Sequence, residues 1–137
     1  MRFNRKGITL RIKNKVAIIT GSGGGIGRAV ALRYAKEGAK CVVVDINGKN
    51  ADLVAKEIKS FSGDVLNIEM DVREQSDIDK TINLTLKSFN KIDILFNNAG
   101  IFDMAPFFES TRESYNRLFE ANVKGMFFMM QAVASQM

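Results

Sequence analysis

A doubly wound α/β fold with a parallel sheet is what this sequence predicts. Three observations carry that expectation. Short, continuously apolar runs alternate with segments whose apolar residues recur at helical spacing. A cluster of glycines sits where the first apolar run gives way to the first helix. The runs are too uniformly apolar to have one wet face, so the sheet they form is covered on both sides.

Taken in order, Lys15–Thr20 (KVAIIT) is a β-branched run that ends in glycine and reads as a buried strand. Residues 26–37 (IGRAVALRYAKE) read as a helix stopped by Gly38. Lys40–Asp45 (KCVVVD) is the second strand. Residues 49–60 are a helix with Leu53, Val54 and Ile58 on one face. Residues 65–72 form the third strand, closing on Asp71-Val72. Residues 74–89 are a helix aligned through Ile78, Ile82 and Leu86, and residues 92–96 (IDILF) are the fourth strand. Residues 111–137 read as one long, very apolar helix. Sequential winding of such units gives the strand order 3-2-1-4. The fold is then a Rossmann-type sheet truncated after about four strands, with residues 1–9 a basic extension and residues 10–137 the domain.

With 137 residues there is room for one ordinary domain. No apolar run spans a bilayer, and the N-terminal segment lacks the pattern of a signal peptide, so the expectation is a cytoplasmic protein without a membrane partner. Histidine is absent, which removes His-dependent metal sites and Ser–His or Cys–His nucleophile pairs; no metal is expected. Cys41 is single and lies in an apolar run, so no intrachain disulfide forms. The net charge of +5 is concentrated at one end. Residues 1–36 hold nine basic and no acidic side chains, and the remaining eleven basic and fifteen acidic side chains leave 37–137 at −4. No aromatics interleave with the basic end as stacking platforms, so nucleic acid is not an expected partner.

The segment Thr20-Gly21-Ser22-Gly23-Gly24-Gly25-Ile26-Gly27 joins the first strand to the first helix. Gly21 permits a tight turn, Gly25 admits a pyrophosphate close to the backbone, and Gly27 lets helix and sheet approach. The helix N-terminus offers free N–H groups to phosphates. Ser22, Gly24 and Ile26 belong to the same turn. Read alone, the cluster is equally a flexible connection. Asp45, 24 residues after Gly21, changes that: a carboxylate there accepts hydrogen bonds from adenosine ribose hydroxyls and repels a 2′-phosphate. With no basic residue among Ser22–Gly24, the cofactor expected is NAD rather than NADP, with Ile46 beside the ribose site. The other reading of Asp45 is a turn-forming acid before Asn47-Gly48, which leaves its spacing unexplained. Asp71 is placed to accept from the adenine amino group, with Val72 against the ring. Asn98, Ala99 and Gly100, within Asn97-Asn98-Ala99-Gly100, leave the fourth strand as small residues beside adenosine.

These residues resemble a family. Thr20–Gly27, Asp71-Val72, Asn97–Gly100 and Asn122-Val123 are similar, in order and spacing, to the motif series of the short-chain dehydrogenases/reductases, over about residues 10–137. Residues 101–137 are similar in particular to the bacterial sorbitol (polyol) dehydrogenases of that family. The resemblance implies hydride transfer between nicotinamide and an alcohol or carbonyl substrate. It implies a catalytic set of Asn, Ser, Tyr and Lys, of which Asn122 alone is matched. Tyr34 is followed four residues on by Gly38, and Tyr115 by Phe119, so neither heads a Tyr-x-x-x-Lys pair. The expectation is a chain lacking the substrate-side half and inactive alone. The other expectations are a catalytically incompetent nucleotide-binding fragment or an interaction module. Mid-helix Asn122 also reads as a simple kink. The resemblance further implies self-association through helix 111–137. There Phe119, Val123, Met126, Phe127, Met130, Ala134 and Met137 recur at spacings of three and four, and Phe128 and Met129 extend the apolar surface.

Overall fold

The computed structural model describes residues 10–137, and the expected basic extension, residues 1–9, lies outside the described residues. The observed order is β1 (Val16–Thr20), α1 (Gly25–Lys36), β2 (Lys40–Asp45), α2 (Gly48–Ser60), β3 (Val65–Glu69), α3 (Gln75–Phe89) and β4 (Ile94–Phe96). A single 3-10 turn (Phe107–Glu109) then leads to α4 (Arg112–Phe119), a π-helical segment (Glu120–Gly125) and α5 (Met126–Ala134).

The four strands form one parallel sheet in the order β3-β2-β1-β4, as the sequence predicts. Its register is continuous, with Val16 opposite Lys40 and Thr20 opposite Val44. Period-two alternation divides the strand residues between two layers. Val16, Ile18, Val42, Val44 and Ile68 face α3 and α5, meeting Ile78, Ile82, Met129 and Val133, so Met129 lies in the core and not on the exposed apolar surface expected for it. Ala17, Ile19, Cys41 and Val43 face α1 and α2, meeting Ala31, Ala35, Val54 and Ile58. Every residue from Val16 to Ile19 and from Cys41 to Val44 is fully buried. Each large side chain so buried contributes about 1.5–3 kcal/mol, which is why β1 and β2 form the centre. Cys41 belongs to this core; burial pushes its thiol pKa up to about 12, so it stays protonated and unreactive.

Three elements differ from the sequence reading by more than one residue. The third strand ends at Glu69 rather than at Val72. Beyond Met70 the chain turns, with the Glu74 N–H donating to the Asp71 carbonyl at 3.1 Å and the Asp71 N–H to Asp77 Oδ2 at 3.0 Å. The fourth strand begins at Ile94. Asp93 caps the sheet instead: its carboxylate accepts from the Val16 N–H at 2.8 Å and pairs with Lys15 at 3.2 Å and Lys91 at 2.9 Å. The last helix is not one uniform α-helix. Thr111 caps its start by accepting from the Ser114 N–H, a π-helical turn interrupts it from Glu120 to Gly125, and it ends at Ala134. The π-helical turn ends where the helix packs most closely, at Gly125. A Cβ there would sit 2.8 Å from the Val72 carbonyl oxygen, so the helix lies directly on the backbone leaving β3.

Candidate nucleotide-binding cleft

The carboxyl ends of all four strands open on one cleft of about 690 Å³. The β1–α1 turn contributes Gly21 and Gly24, and the end of β2 contributes Val44, Asp45 and Ile46. The chain beyond β3 contributes Met70 to Arg73, and the chain beyond β4 contributes Asn98 to Phe102. Arg117 and Ala121 close the far side from the last helical run. Asp45, Ile46, Asp71, Val72, Asn98, Ala99 and Gly100, each singled out from the sequence, thus line one space with Gly21 and Gly24.

The glycine turn is shaped by close approach. Gly21 has φ +61°, and a Cβ on it would lie 2.8 Å from Ala99 Cα, so the turn nests against the chain leaving β4. A Cβ on Gly27 would collide with the Gly21 carbonyl oxygen and lie 2.6 Å from Asn98 Nδ2. Gly25 has φ +50° and open space about it, as does Gly24. Helix α1 begins with no side-chain cap and no acidic residue in its first turn. Its leading N–H groups and positive dipole end are left to an anion, with Ile26 exposed beside them.

Ser22, expected among the lining residues, is fully buried. Its hydroxyl donates to the Ile19 carbonyl at 2.7 Å and accepts from the Val44 N–H at 2.9 Å, while its own N–H donates to the Val44 carbonyl at 3.0 Å. It fastens β1 to β2 instead of meeting the cleft. Gly23, which the sequence reading passed over, is the residue that sets Asp45. Its N–H donates to Asp45 Oδ2 at 2.8 Å, and a Cβ on it would meet that carboxylate at 2.8 Å. The Asn47 N–H donates to Asp45 Oδ1 at 2.9 Å, so both carboxylate oxygens are oriented by backbone.

On the opposite wall, the Thr20 hydroxyl accepts from the N–H groups of Asn98 and Ala99, each at 3.0 Å. Asn98 Nδ2 donates to the carbonyls of Thr20 and Gly21 at 3.1 and 3.0 Å. The Asn side chain therefore ties β4 to the glycine turn, as its residue type suggests. Asn122 lies in the π-helical turn. Its Oδ1 accepts from the Ile101 N–H at 2.8 Å and its Nδ2 donates to the Ile101 carbonyl at 2.7 Å, pinning the segment beyond β4. Two ion pairs reach the cleft. Arg73 grips Asp71, whose carboxyl is held below the usual range first by the side-chain hydrogen bonding from Arg73. Arg117 pairs with Asp103 at 3.2 Å, and Asp103 also accepts from the Ser114 hydroxyl. Neither arginine pairing was singled out from the sequence, because arginines on turns and helices are ordinarily solvated. Tyr34 packs edge-on against Phe96 and Tyr115 stacks on Phe119, so both tyrosines serve packing contacts. Among the described residues no cluster of His, Cys, Asp and Glu is arranged to hold a metal, and no helix is long and apolar enough to cross a membrane.

The model of the short chain dehydrogenases matches residues 15–137. The chain belongs to the short-chain dehydrogenase family. Among its relatives, the sorbitol dehydrogenase of Cereibacter sphaeroides is 48% identical over 128 residues, which are 93% of this chain and 49% of the relative. The galactitol 2-dehydrogenase of Agrobacterium fabrum is 44% identical over the same share of this chain and 49% of its own. A 7α-hydroxysteroid dehydrogenase solved with NADH and 7-oxo glycochenodeoxycholic acid superimposes with a TM-score of 0.89 at 36% identity, covering 94% of this chain and 50% of that one. This short-chain dehydrogenase chain thus spans about half the length of the curated relatives it matches.

Proposed function

We propose that these residues form the cofactor-side half of an NAD(H)-dependent oxidoreductase that acts on an alcohol, most specifically on a secondary alcohol of a polyol. The observation that carries the reading is the oriented carboxylate of Asp45 on the cleft wall. The Gly23 and Asn47 N–H groups hold it 2.8 and 2.9 Å away, facing the space that the uncapped N-terminus of α1 also faces. The residues fit a dinucleotide. Gly24 and Gly25 leave open space beside the helix terminus for a pyrophosphate, Asp45 accepts ribose hydroxyls, and Val72 offers an apolar wall for a purine.

A nicotinamide dinucleotide held in this cleft would supply hydride-transfer chemistry. The chain's own part is to bind and orient. Gly21, Gly25 and Gly27 shape the phosphate turn, Asp45 and Ile46 receive the adenosine ribose, and Asp71 reads the adenine amino group. Asn98, Ala99 and Gly100 form the wall beside adenosine. Asn122, the one residue matched to the family's catalytic set, braces Ile101 at the entrance to the substrate side. Its amide does not titrate near neutral pH and supplies no base. These 137 residues hold no Tyr-x-x-x-Lys pair, so they bind cofactor without turning over sorbitol or galactitol. The substrate class rests on the similar polyol dehydrogenases named above.

Titration with NADH and NADPH tests the reading. A 2′-phosphate beside Asp45 meets like-charge repulsion of about 1 kcal/mol or more, so NADH binds at least about fivefold more tightly. Asp45→Ala narrows that ratio. Equal or tighter binding of NADPH by the unaltered chain overturns the assignment. A second reading, an interaction module, draws on the exposed face formed by Phe119, Val123, Phe127 and Met130 beside the edge strand β4. We propose self-association through that helical run; light scattering that shows a monodisperse monomer refutes it.

A further inference from the structure

We propose that Arg73 is a positioning residue for base recognition: by gripping both oxygens of Asp71 it fixes that carboxylate as an acceptor, so that the cleft distinguishes adenine from hypoxanthine. The inference rests on the reading of the cleft as a nicotinamide dinucleotide site, and extends it to a residue that no motif singles out.

The contacts converge on one side chain. Arg73 Nε lies 2.9 Å from Asp71 Oδ1 and 3.0 Å from Oδ2, and Nη2 lies 2.5 Å from Oδ2. The Arg73 backbone N–H also donates to Oδ1, at 2.9 Å. The main chain of the turn is held separately, by Asp77 on the Asp71 N–H and by the Glu74 N–H on the Asp71 carbonyl. Asp71 therefore has neither a free rotamer nor a free backbone.

Arg73 itself lies on the cleft wall next to Val72, the apolar surface for the purine. A carboxylate offers about four lone-pair sites. The Nε, Nη2 and backbone N–H groups of Arg73 fill three of these and leave one acceptor site. An ordinary Asp is already ionised at neutral pH, and the side-chain hydrogen bonding from Arg73 lowers its pKa further. An ionised carboxylate only accepts. The 6-amino group of adenine donates to it, whereas the 6-carbonyl of hypoxanthine is a second acceptor and repels it.

Charge points the same way. The ionisable lining of the cleft is Asp45, Asp71, Arg73 and Arg117. Without Arg73, Asp71 would stand uncompensated against a ligand carrying two phosphates. A lysine restores that charge but not the planar fork that holds two oxygens at once.

The test compares binding of NADH and of reduced nicotinamide hypoxanthine dinucleotide to the 137-residue chain and to its Arg73→Ala and Arg73→Lys variants, with a thermal melt of each. The unaltered chain favours NADH by about tenfold or more, the fold-change of one hydrogen bond to a charged group. In Arg73→Ala the preference falls to within about twofold through weaker NADH binding, and Arg73→Lys is intermediate. The melting temperature moves little, because the guanidinium belongs to an ion pair on the surface. An unchanged preference in Arg73→Ala, or an equal loss of both ligands, overturns the proposal. If Arg73→Ala does not fold, a lysine variant with the full preference overturns it alone. A chain that binds both dinucleotides equally keeps the cleft assignment and loses this one, while a chain that binds neither loses both.

Discussion

A methyl group on Gly27 has nowhere to go. Its carbon would collide with the Gly21 carbonyl oxygen, sit 2.6 Å from Asn98 Nδ2 and sit 2.8 Å from Ser22 Cα. Two of these atoms are backbone of the glycine turn, and the third is a side-chain nitrogen already donating to Thr20 and Gly21. Relief requires α1 to move off the sheet or the turn to open. Overpacking of this kind costs about 1–3 kcal/mol, and losing both Asn98 hydrogen bonds adds about 0.5–1.5 kcal/mol each. Gly27→Ala therefore destabilises the chain by about 2–6 kcal/mol, a large part of an ordinary stability of about 5–15 kcal/mol. Gly24→Ala is the control. Gly24 has φ −164° and nothing within 4 Å of its Cβ position, so alanine there meets no clash and costs about 1 kcal/mol or less, the loss of glycine at the N-cap of α1. It does place a methyl group at the mouth of the cleft and weakens NADH binding. Urea unfolding followed by circular dichroism gives the stabilities, and NADH fluorescence gives the binding. Equal stability of the two variants would show that the close approach of α1 to the turn is not what the glycines are for.

Acid titration reads Asp93, whose carboxyl is lowered to about 2 by hydrogen bonding from Lys91, then from the Val16 N–H, with Lys15 adding to it. The folded value lies below the unfolded one of about 3.9, so its contribution is intact above about pH 4 and is lost as the pH falls towards 2. Urea midpoints fall across that window in the unaltered chain and fall less in Asp93→Asn; parallel profiles refute it. Met129 is fully buried between the sheet and α3, so Met129→Ala costs about 2–5 kcal/mol in the same assay. Its neighbour Met130 faces outward, and Met130→Ala changes stability by less than about 1 kcal/mol. Asn122→Ala removes both hydrogen bonds to Ile101 and speeds amide hydrogen exchange there, with no comparable change at Val42 in the core.

Most of the fold was readable because its signals are local. The strands β1 and β2 are continuous apolar runs, Gly38 stops α1 with φ +85°, and Asn47 caps α2 by accepting from the Asn50 N–H. The strand order followed from that alternation together with the rules for winding parallel sheets. The misplaced boundaries have tertiary causes. Asp71-Val72 looks like strand by composition, but the contacts of Asp77 and Gly125 bend it away. The π-helical turn coincides with the approach of Gly125 to Val72, a contact 53 residues apart that no periodicity carries. In the cleft, Asp45 and the Asn-Asn-Ala-Gly run were legible from residue type and spacing. Ser22 was misread because a serine in a glycine turn has the same appearance whether it faces a phosphate or the core. Gly23 and Arg73 were missed because their importance lies in what they orient.

Amide chemical-shift mapping of the isotopically labelled chain during NADH titration tests the central claim most directly. The expected shifts concentrate at Gly23–Gly27, Asp45-Ile46, Asp71–Arg73 and Asn98–Ile101, the residues at the carboxyl end of the sheet. Shifts absent from those segments, or centred instead on Phe119–Met130, would contradict it.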